Sequence, residues 1–260
     1  MKPVTGTKIA ADLKGRVAVL TYGTVDSTNS EARRYIGAGL LGPALFIADE
    51  QTQGRGRLGR SFYSPEDSGV YMTLAYPLRT AYAKAMRVTA KTAVSCLRGI
   101  RAVLHADVSV KWVNDLYFGG RKAAGILVET VPGETGVDWV VIGIGINLGD
   151  AAFPEELRET AVSLHAADCD RNELITAIVS DLLWELRHID DTDYLEDYRA
   201  YSNVLGETIL FGRAPDLEEG RAVAIDDEGA LVVEKAGGTR VTLSSGEISV
   251  RKKHEGPDHT

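Results

Sequence analysis

Two segments hold residues whose types and spacing suit them to chemistry. In Gly54-Arg55-Gly56-Arg57-Leu58-Gly59-Arg60, three arginines alternate with three glycines within seven residues. Guanidinium forks match the oxygens of phosphates and carboxylates. Glycine lets a backbone approach a ligand closely and adopt positive φ. No Gly-Lys-Ser or Gly-Lys-Thr follows, so this is not a Walker A loop, and the apolar helix start of a dinucleotide fingerprint is missing too. The second segment runs Lys111-Trp112-Val113-Asn114-Asp115-Leu116 and resumes at Arg121-Lys122-Ala123-Ala124-Gly125-Ile126-Leu127-Val128-Glu129. Lys122 follows a Gly119-Gly120 turn and precedes small residues that leave room for a ligand against a sheet. A lysine so placed binds a carboxylate and a phosphoryl oxygen together and stabilises the charge that builds as the carboxylate attacks an α-phosphate. The chemistry indicated is activation of a carboxylate on a nucleotide phosphate.

Each of these features also has a plain structural reading. A basic glycine turn is often only solvated, and a lone lysine at a hairpin often snorkels. Asn114 suits a turn cap as well as a ligand contact. Asp115 is placed to orient or deprotonate an incoming amine, or else to pair with Lys111 or Arg57. Gly143-Ile144-Gly145-Ile146-Asn147 offers close backbone approach and an amide for a base edge, or marks a bulge. Ser27, Thr28, Asn29 and Gln51 supply neutral donors and acceptors, or helix caps. The five histidines are scattered and stand outside these motifs.

Ordering Gln53 to Arg60 costs about 10 kcal/mol at about 1–2 kcal/mol per residue. Each charge-assisted hydrogen bond returns about 1.5–3 kcal/mol. The loop is therefore expected to be mobile without ligand and to fold over it, so that a first ligand eases binding of a second.

The elements that must position these residues follow from periodicity. Val17 to Tyr22 reads as a strand, and Thr28 with Glu31 fits a capping box opening a helix. Ala44 to Ala48 is a strand leading into the Arg/Gly loop, and Gly69 to Tyr76 is another, ended by Pro77. Ala81 to Ile100 has helical spacing. Val108 to Trp112 is a strand, Tyr117 to Lys122 a Gly-Gly hairpin, and Gly125 to Val131 and Val137 to Ile146 are apolar strands. Helices follow over Asn172 to His188 and Asp193 to Tyr201. After Leu205-Gly206 come five short runs: Glu207 to Phe211, Ala222 to Ile225, Leu231 to Glu234, Arg240 to Leu243 and Glu247 to Val250. Turn residues separate them, as in a small closed barrel. The expected division is a catalytic domain over 1–205, a barrel over 206–251 and a disordered polar tail over 252–260, with residues 1–15 loosely ordered.

Composition narrows the class. The chain has 260 residues, 44% hydrophobic and 25% charged, and a formal net charge of −8, ordinary for a soluble globular protein. An acidic body is a poor general nucleic-acid binder, so no nucleic-acid partner is expected. No apolar stretch is long enough to span a bilayer, and no membrane partner is expected. The two cysteines match no metal or redox spacing and read as buried hydrophobes of a reducing compartment. With no signal-peptide core at the start, the expectation is cytoplasmic. An exposed sheet edge would permit a homodimer, which periodicity does not decide.

The ordered set of motifs at 54–60, 111–115, 121–127 and 143–147, with Ser27-Thr28-Asn29 ahead of them, resembles the biotin protein ligases. The likeness extends through the C-terminal barrel. It implies an α+β fold: a mixed β-sheet packed with helices, of the class II synthetase-like kind, plus a small SH3-like β-barrel. It also implies a two-step reaction. Biotin and ATP, with Mg²⁺, give biotinyl-5′-AMP and pyrophosphate. A lysine of a biotin carboxyl carrier domain then attacks and releases AMP. By motif position, Ser27, Thr28, Asn29 and Gln51 would contact the ureido ring, and Gly125 and Leu127 would line the biotin pocket. Arg55, Gly56 and Arg57 would hold biotin and phosphate, and Lys122 would bridge carboxylate and phosphate. Arg60, Phe62, Asn114, Gly145 and Asn147 would lie on the adenylate side with Arg57 and Lys122. Asp115 would stand near the acceptor amine. The catalytic set is thus Lys122, Arg55, Arg57 and Asp115, and no protein ligand to a metal is singled out. Val113 replaces the usual proline, which frees φ and restores an N–H. Phe62 replaces a tryptophan found in some members and loses an indole N–H. The motifs begin by Ser27, which leaves no room for the DNA-binding domain that some members carry, so a ligase without repressor role is expected. Alternatives are a lipoate–protein ligase-type enzyme and a non-catalytic adenylate-binding or sensing module.

Overall fold

Long apolar runs build the centre of the protein. The structure is a computed structural model that describes residues 1–149, 152–213, 215–244 and 249–252. Strands β1 (Ala18–Val25), β2 (Ala44–Gln51), β3 (Gly69–Thr80), β4 (Ser109–Lys111), β5 (Asp115–Phe118), β6 (Arg121–Pro132) and β7 (Val137–Asn147) form one sheet in the order β1-β2-β3-β7-β6-β5-β4. β1 and β2 are parallel and every other neighbouring pair is antiparallel. β7 lies in the middle, and its residues from Val140 to Asn147 are all buried, which is why it reads as a continuous apolar run. Helices α1 (Gly6–Asp12), α2 (Thr28–Gly37), α3 (Tyr82–Ala85), α4 (Arg87–Leu104), α5 (Arg171–Arg187) and α6 (Tyr194–Ala200) cover it. α2 packs on one face through Ala32 against Phe46, Ala75 and Val141. α4 and α5 carry the main core with residues such as Val88, Leu97, Ile100, Ile175 and Ile178. They meet at Gly99, where a Cβ would stand 2.4 Å from Ile178 Cγ1.

The α+β architecture agrees with the expectation, and several local readings are corrected. Residues 1–15 are not a loose lead: they contain α1, whose Ile9, with Leu13 just after it, is fully buried. Distant partners fasten this stretch, including the Thr5 N–H to Asn172 Oδ1 at 2.7 Å and Arg171 Nε to the Lys2 carbonyl at 3.1 Å. Two apolar residues four apart leave too faint a period to be read alone. The Thr28–Glu31 capping box is absent. Ser27 caps α2 by position without a side-chain bond, the Thr28 hydroxyl turns to Gln51, and Glu31 pairs with Arg34. β3 continues through Pro77 to Thr80 with a register shift, and the helix expected from Ala81 breaks at Met86 into α3 and α4. β6 begins at Arg121 rather than Gly125, so Lys122, expected just past the Gly-Gly turn, stands within the strand itself.

The C-terminal part is a five-stranded antiparallel sheet of the SH3-like kind. Its order is β11 (Arg240–Leu243), β10 (Leu231–Glu234), β9 (Asp216–Ile225), β8 (Thr208–Arg213), β12 (Ser249–Lys252). β9 is longer than the expected Ala222 to Ile225. The start of the run expected over Glu247 to Val250 lies outside the described residues; of the disordered tail expected over 252–260, Lys252 instead ends β12, and the rest lies outside the described residues. The β9–β10 turn is pressed onto the larger sheet's helices. Arg87 forks onto Glu228 at 2.7 and 3.0 Å, and Arg199 reaches the Ile225 carbonyl and Asp227, both at 2.8 Å. Gly229, at φ +82°, presents its carbonyl to the indole N–H of Trp112 at 3.0 Å. The Tyr198 hydroxyl, whose pKa burial pushes well up, donates to the Val113 carbonyl at 2.9 Å. The segment ahead of Asn114 and Asp115 is thus gripped from α6 and from the small sheet.

Trp112→Phe keeps the ring and leaves the buried Gly229 carbonyl without its donor. It is expected to lower stability by about 1–3 kcal/mol, read as a lower urea midpoint at unchanged m. An unchanged midpoint would show that the indole bond does not hold the small sheet in place.

Candidate active site

Three glycines make the floor of the site. The β6–β7 register sets Gly125 opposite Gly145 and Leu127 opposite Gly143. A Cβ at Gly145 would stand 2.4 Å from Phe62 Cε1, one at Gly143 2.2 Å from Asn29 Oδ1, and one at Gly125 2.9 Å from Lys122 Nζ. An aromatic ring, an amide and an ammonium therefore lie directly on bare backbone. They border a cavity that holds about 430 Å³ of space, open solvent included.

A buried polar wall stands beside this floor. The Thr28 N–H and hydroxyl both donate to Gln51 Oε1, at 2.9 and 3.1 Å, and Gln51 Nε2 donates to Ser64 Oγ at 2.9 Å. The Thr73 hydroxyl lies 2.7 Å from Asn29 Oδ1 and 2.8 Å from Thr28 Oγ1. Asn29 Nδ2 donates to Glu129 at 2.9 Å. A satisfied network of this kind fixes the direction in which each amide and hydroxyl points.

The Arg/Gly loop has a defined shape. Past β2 it continues as a narrow hairpin, with Gln51 N–H to the Ser64 carbonyl at 3.0 Å, Phe62 N–H to the Gly54 carbonyl at 2.9 Å, and Gly56 N–H to the Arg60 carbonyl at 2.7 Å. Leu58 at φ 57° and Gly59 at φ 77° turn its tip. Arg55 reaches Glu129 with two nitrogens, at 3.1 and 3.2 Å. Arg57 donates to Asn114 Oδ1 at 2.7 Å, while Asn114 Nδ2 donates to the Ile126 carbonyl at 2.9 Å. This ladder and these two anchors offset part of the conformational cost of ordering the glycines. Burial lowers the pKa of Arg57, with Asp115 opposing and Arg60 adding to the effect. A guanidinium stays charged even so.

Lys122 Nζ lies 2.8 Å from Asp115 Oδ1 and 5.9 Å from the centre of the Phe62 ring. Asp115 therefore pairs with Lys122 rather than with Lys111 or Arg57, and Lys111 donates to the Tyr117 hydroxyl at 2.8 Å. The β5–β6 pairing, which sets Asp115 opposite Gly125, brings the two together.

The cavity is lined by Ser27, Thr28, Asn29 and Gln51, by Arg55, Gly56, Arg57 and Phe62, and by Asn114, Lys122, Gly125, Leu127 and Gly145. Asp115, Arg60 and Asn147 are not in its lining. Asn147 is buried beyond it and donates to the Val162 carbonyl at 3.2 Å. Met72 and Ile126 also line the cavity and were given no role from the sequence, and Gly143 and Ile144, read there as part of a segment of close backbone approach, line it too. Gly143 shares the face of Gly145 two residues along β7. Glu129 was missed because its role depends on partners remote in the chain. Among the described residues no three His, Cys, Asp or Glu side chains converge as a metal cage.

A second, wider groove, about 1340 Å³ with its open solvent included, shares Arg55, Gly56, Arg57, Ile126 and Leu127 with the cavity and extends past Tyr82, Met86 and Val128. Tyr82, Met86 and Leu58 are exposed there. β5 covers β6 only as far as Gly125, and Asn114 meets Ile126. Beyond that, among the described residues, no strand covers the edge at Val128 and Thr130.

Comparison with known proteins agrees with this geometry. The Biotin/lipoate A/B protein ligase family matches residues 25–147, and the Biotin protein ligase C terminal domain matches residues 204–251. The bifunctional ligase/repressor BirA of Bacillus spizizenii is 32% identical over 232 residues, 85% of this chain and 70% of that protein. The biotin–[acetyl-CoA-carboxylase] ligase of Mycobacterium tuberculosis is 32% identical over 237 residues, 85% of each chain. The fold matches the biotin protein ligase of Aquifex aeolicus, solved with biotin and ATP, at TM-score 0.76 and 24% identity, over 90% of this chain and 99% of that one.

At Gly54 a Cβ would stand 2.2 Å from the Phe62 carbonyl oxygen and 2.8 Å from Ser64 Oγ. Gly54→Ala is expected to cost the hairpin about 1–3 kcal/mol of overpacking. Limited proteolysis within residues 54–60 should then rise about tenfold at an unchanged global unfolding midpoint, since each 1.4 kcal/mol is about a factor of ten. Wild-type cleavage rates would show that the ladder does not hold the loop.

Proposed function

The chain belongs to the biotin protein ligase family, and from that premise we propose how its own residues carry out ATP-dependent attachment of biotin to a protein lysine. In the first step a biotin carboxylate oxygen attacks the α-phosphorus of ATP, the bond to the β-phosphate breaks, and pyrophosphate leaves. In the second an amine attacks the acyl carbon and AMP leaves.

The observation that carries this reading is the ammonium–carboxylate pair Lys122–Asp115 beside a glycine floor, facing Arg57. Biotin has a polar ureido ring at one end and a carboxylate at the other. The wall of Ser27, Thr28, Asn29 and Gln51 suits the first, and Leu127 with Met72 suits the apolar middle. The carboxylate then lies by Lys122, which gives up part of its pairing with Asp115 to bridge carboxylate and phosphoryl oxygens. Preorganised donors act where charge develops and need no reorganisation. Arg57, aligned by Asn114, adds the second cation, with the Gly56 backbone close by. The floor at Gly145 and the Phe62 ring suit a flat adenylate, with Arg60 and Asn147 behind it. Asp115 is the nearest carboxylate to accept the proton of an attacking amine. It is also the side chain suited to hold a Mg²⁺ that arrives on the triphosphate, since Mg²⁺ needs only one or two carboxylates and keeps several waters. When bound, the ion supplies neutralisation of phosphate charge.

The acceptor is a carrier domain of a biotin-dependent carboxylase, and we place it on the wider groove and the open β6 edge. This face runs directly into the catalytic cavity. The Ile126 N–H points away from β7 toward the Asn114 carbonyl, so by alternation those of Val128 and Thr130 point outward as well. An extended segment can add to such an edge.

Lys122→Ala is expected to lose about 10²–10³ in the rate of biotin-dependent ATP–pyrophosphate exchange, with circular dichroism unchanged. Near-wild-type exchange would remove Lys122 from the mechanism. Incubation of the wild type with biotin, Mg-ATP and a carrier domain should add one biotin to the carrier by mass, and lipoate should not compete. A second prediction concerns docking. Thr130→Pro deletes one outward N–H, which an edge strand tolerates. It should raise KM for the carrier about tenfold and leave exchange intact. An unchanged KM, with self-association lost instead, would assign the edge to a second copy of the chain.

A further inference from the structure

Glu129 carries three donors from two segments that the sequence separates widely. Arg55 meets it with Nη2 to Oε1 at 3.1 Å and Nη1 to Oε2 at 3.2 Å. Asn29 Nδ2 donates to Oε2 at 2.9 Å, and Arg33 Nη1 lies 3.8 Å from Oε1. Strand alternation puts Glu129 on the face of Gly125 and Leu127, about 14 Å beyond Gly125 at about 3.4 Å per residue. It therefore stands at the far end of the cavity from Lys122, where the Arg/Gly loop crosses the start of α2.

We propose that Glu129 is a positioning residue: it latches the Arg/Gly loop through Arg55 and orients the Asn29 amide, so that one carboxylate couples ring recognition to retention of the acyl-adenylate. The proposal rests on the ligase reading above and deepens it. Both Arg55 and Arg57 line the cavity, but Arg55 spends its fork on Glu129 and acts through the loop's position, while Arg57 is aligned by Asn114.

The strength of the contact suits a latch. The Glu129 side chain is 19% exposed and that of Arg55 45%. A fully exposed pair contributes almost nothing, and a fully buried one breaks only at great cost. A bidentate pair at the cavity mouth, steadied by a third donor, lies between: it holds the loop yet releases it each turnover. Asn29 has its carbonyl oxygen engaged by Thr73 and its amide by Glu129, so its orientation is set from both ends. Gly143 makes room for it, since any Cβ there would strike Asn29 Oδ1.

The test uses the full chain, with wild-type biotinylation of a carrier domain as its first arm. Absence of that activity overturns the ligase reading itself, whatever Glu129 does. With the wild type active, Glu129→Gln keeps a neutral acceptor for Asn29 and loses the charge that holds Arg55. It should leave biotin KM in pyrophosphate exchange within about twofold and shorten the half-life of bound, radiolabelled biotinyl-adenylate about tenfold, the scale of one charge-assisted contact. Glu129→Ala also removes the acceptor and should raise biotin KM about tenfold. Arg55→Met should shorten adenylate retention as Glu129→Gln does, and the double variant no further, because the two act through one contact. Thermal unfolding of each variant separates a lost latch from a lost fold, and the near-isosteric Gln variant keeps the test open if the Ala variant unfolds. Wild-type retention in Glu129→Gln, or losses that multiply in the double variant, would overturn the proposal.

Discussion

The site depends on the absence of three Cβ atoms. Gly125, Gly143 and Gly145 leave bare backbone in the middle of a sheet, between buried apolar residues such as Ile126, Ile142, Ile144 and Ile146. The space is already committed: to an ammonium, an amide and a phenyl ring, each closer than any Cβ would permit. Glycine in a strand interior costs stability, roughly 0.5–1 kcal/mol relative to alanine. Here that cost sits on β6 and β7, which pair along their length and carry buried residues such as Ile126, Ile142 and Ile144 between the glycines, so the sheet stays ordered while its face opens to polar chemistry.

Electrostatics follow the same economy. The chain is acidic overall, yet the cavity gathers Arg55, Arg57 and Lys122. Each has a partner in the protein. Glu129 takes Arg55, Asn114 takes Arg57, and Asp115 takes Lys122. A substrate with carboxylate and phosphate oxygens enters a field already neutralised in part. Its binding is an exchange of partners rather than the filling of an empty positive hole, which keeps the site from trapping any passing anion.

The small C-terminal sheet belongs to the same apparatus. Its β9–β10 turn reaches across to Trp112, two residues ahead of Asn114 and three ahead of Asp115. Tyr198 grips the next residue, Val113, where the family pattern has proline. A valine there has none of proline's fixed φ, and the bonds from Tyr198 and Gly229 hold the segment from outside. Packing from two directions replaces a local covalent restraint.

Much of this was legible in the amino-acid order because the signals are local. The alternation and apolar runs of Val137 to Ile146, the helical period of Asn172 to His188 and the Arg/Gly loop depend on neighbours within a few residues. So did the α+β class and the family resemblance, since both rest on contiguous motifs. Tertiary structure decided which groups meet. Arg55 and Glu129 lie 74 residues apart and Trp112 and Gly229 117 apart, and no periodicity links them. Asp115 was read against two cations, Lys111 and Arg57, and the β5–β6 register gave it to a third, Lys122. The helix around Ile9 was invisible because its support comes from Asn172 and Arg171, which follow it by well over a hundred residues. Local order is written in spacing. Partnership between distant charges is written only in how strands align, because alignment sums many weak contacts that no single segment contains.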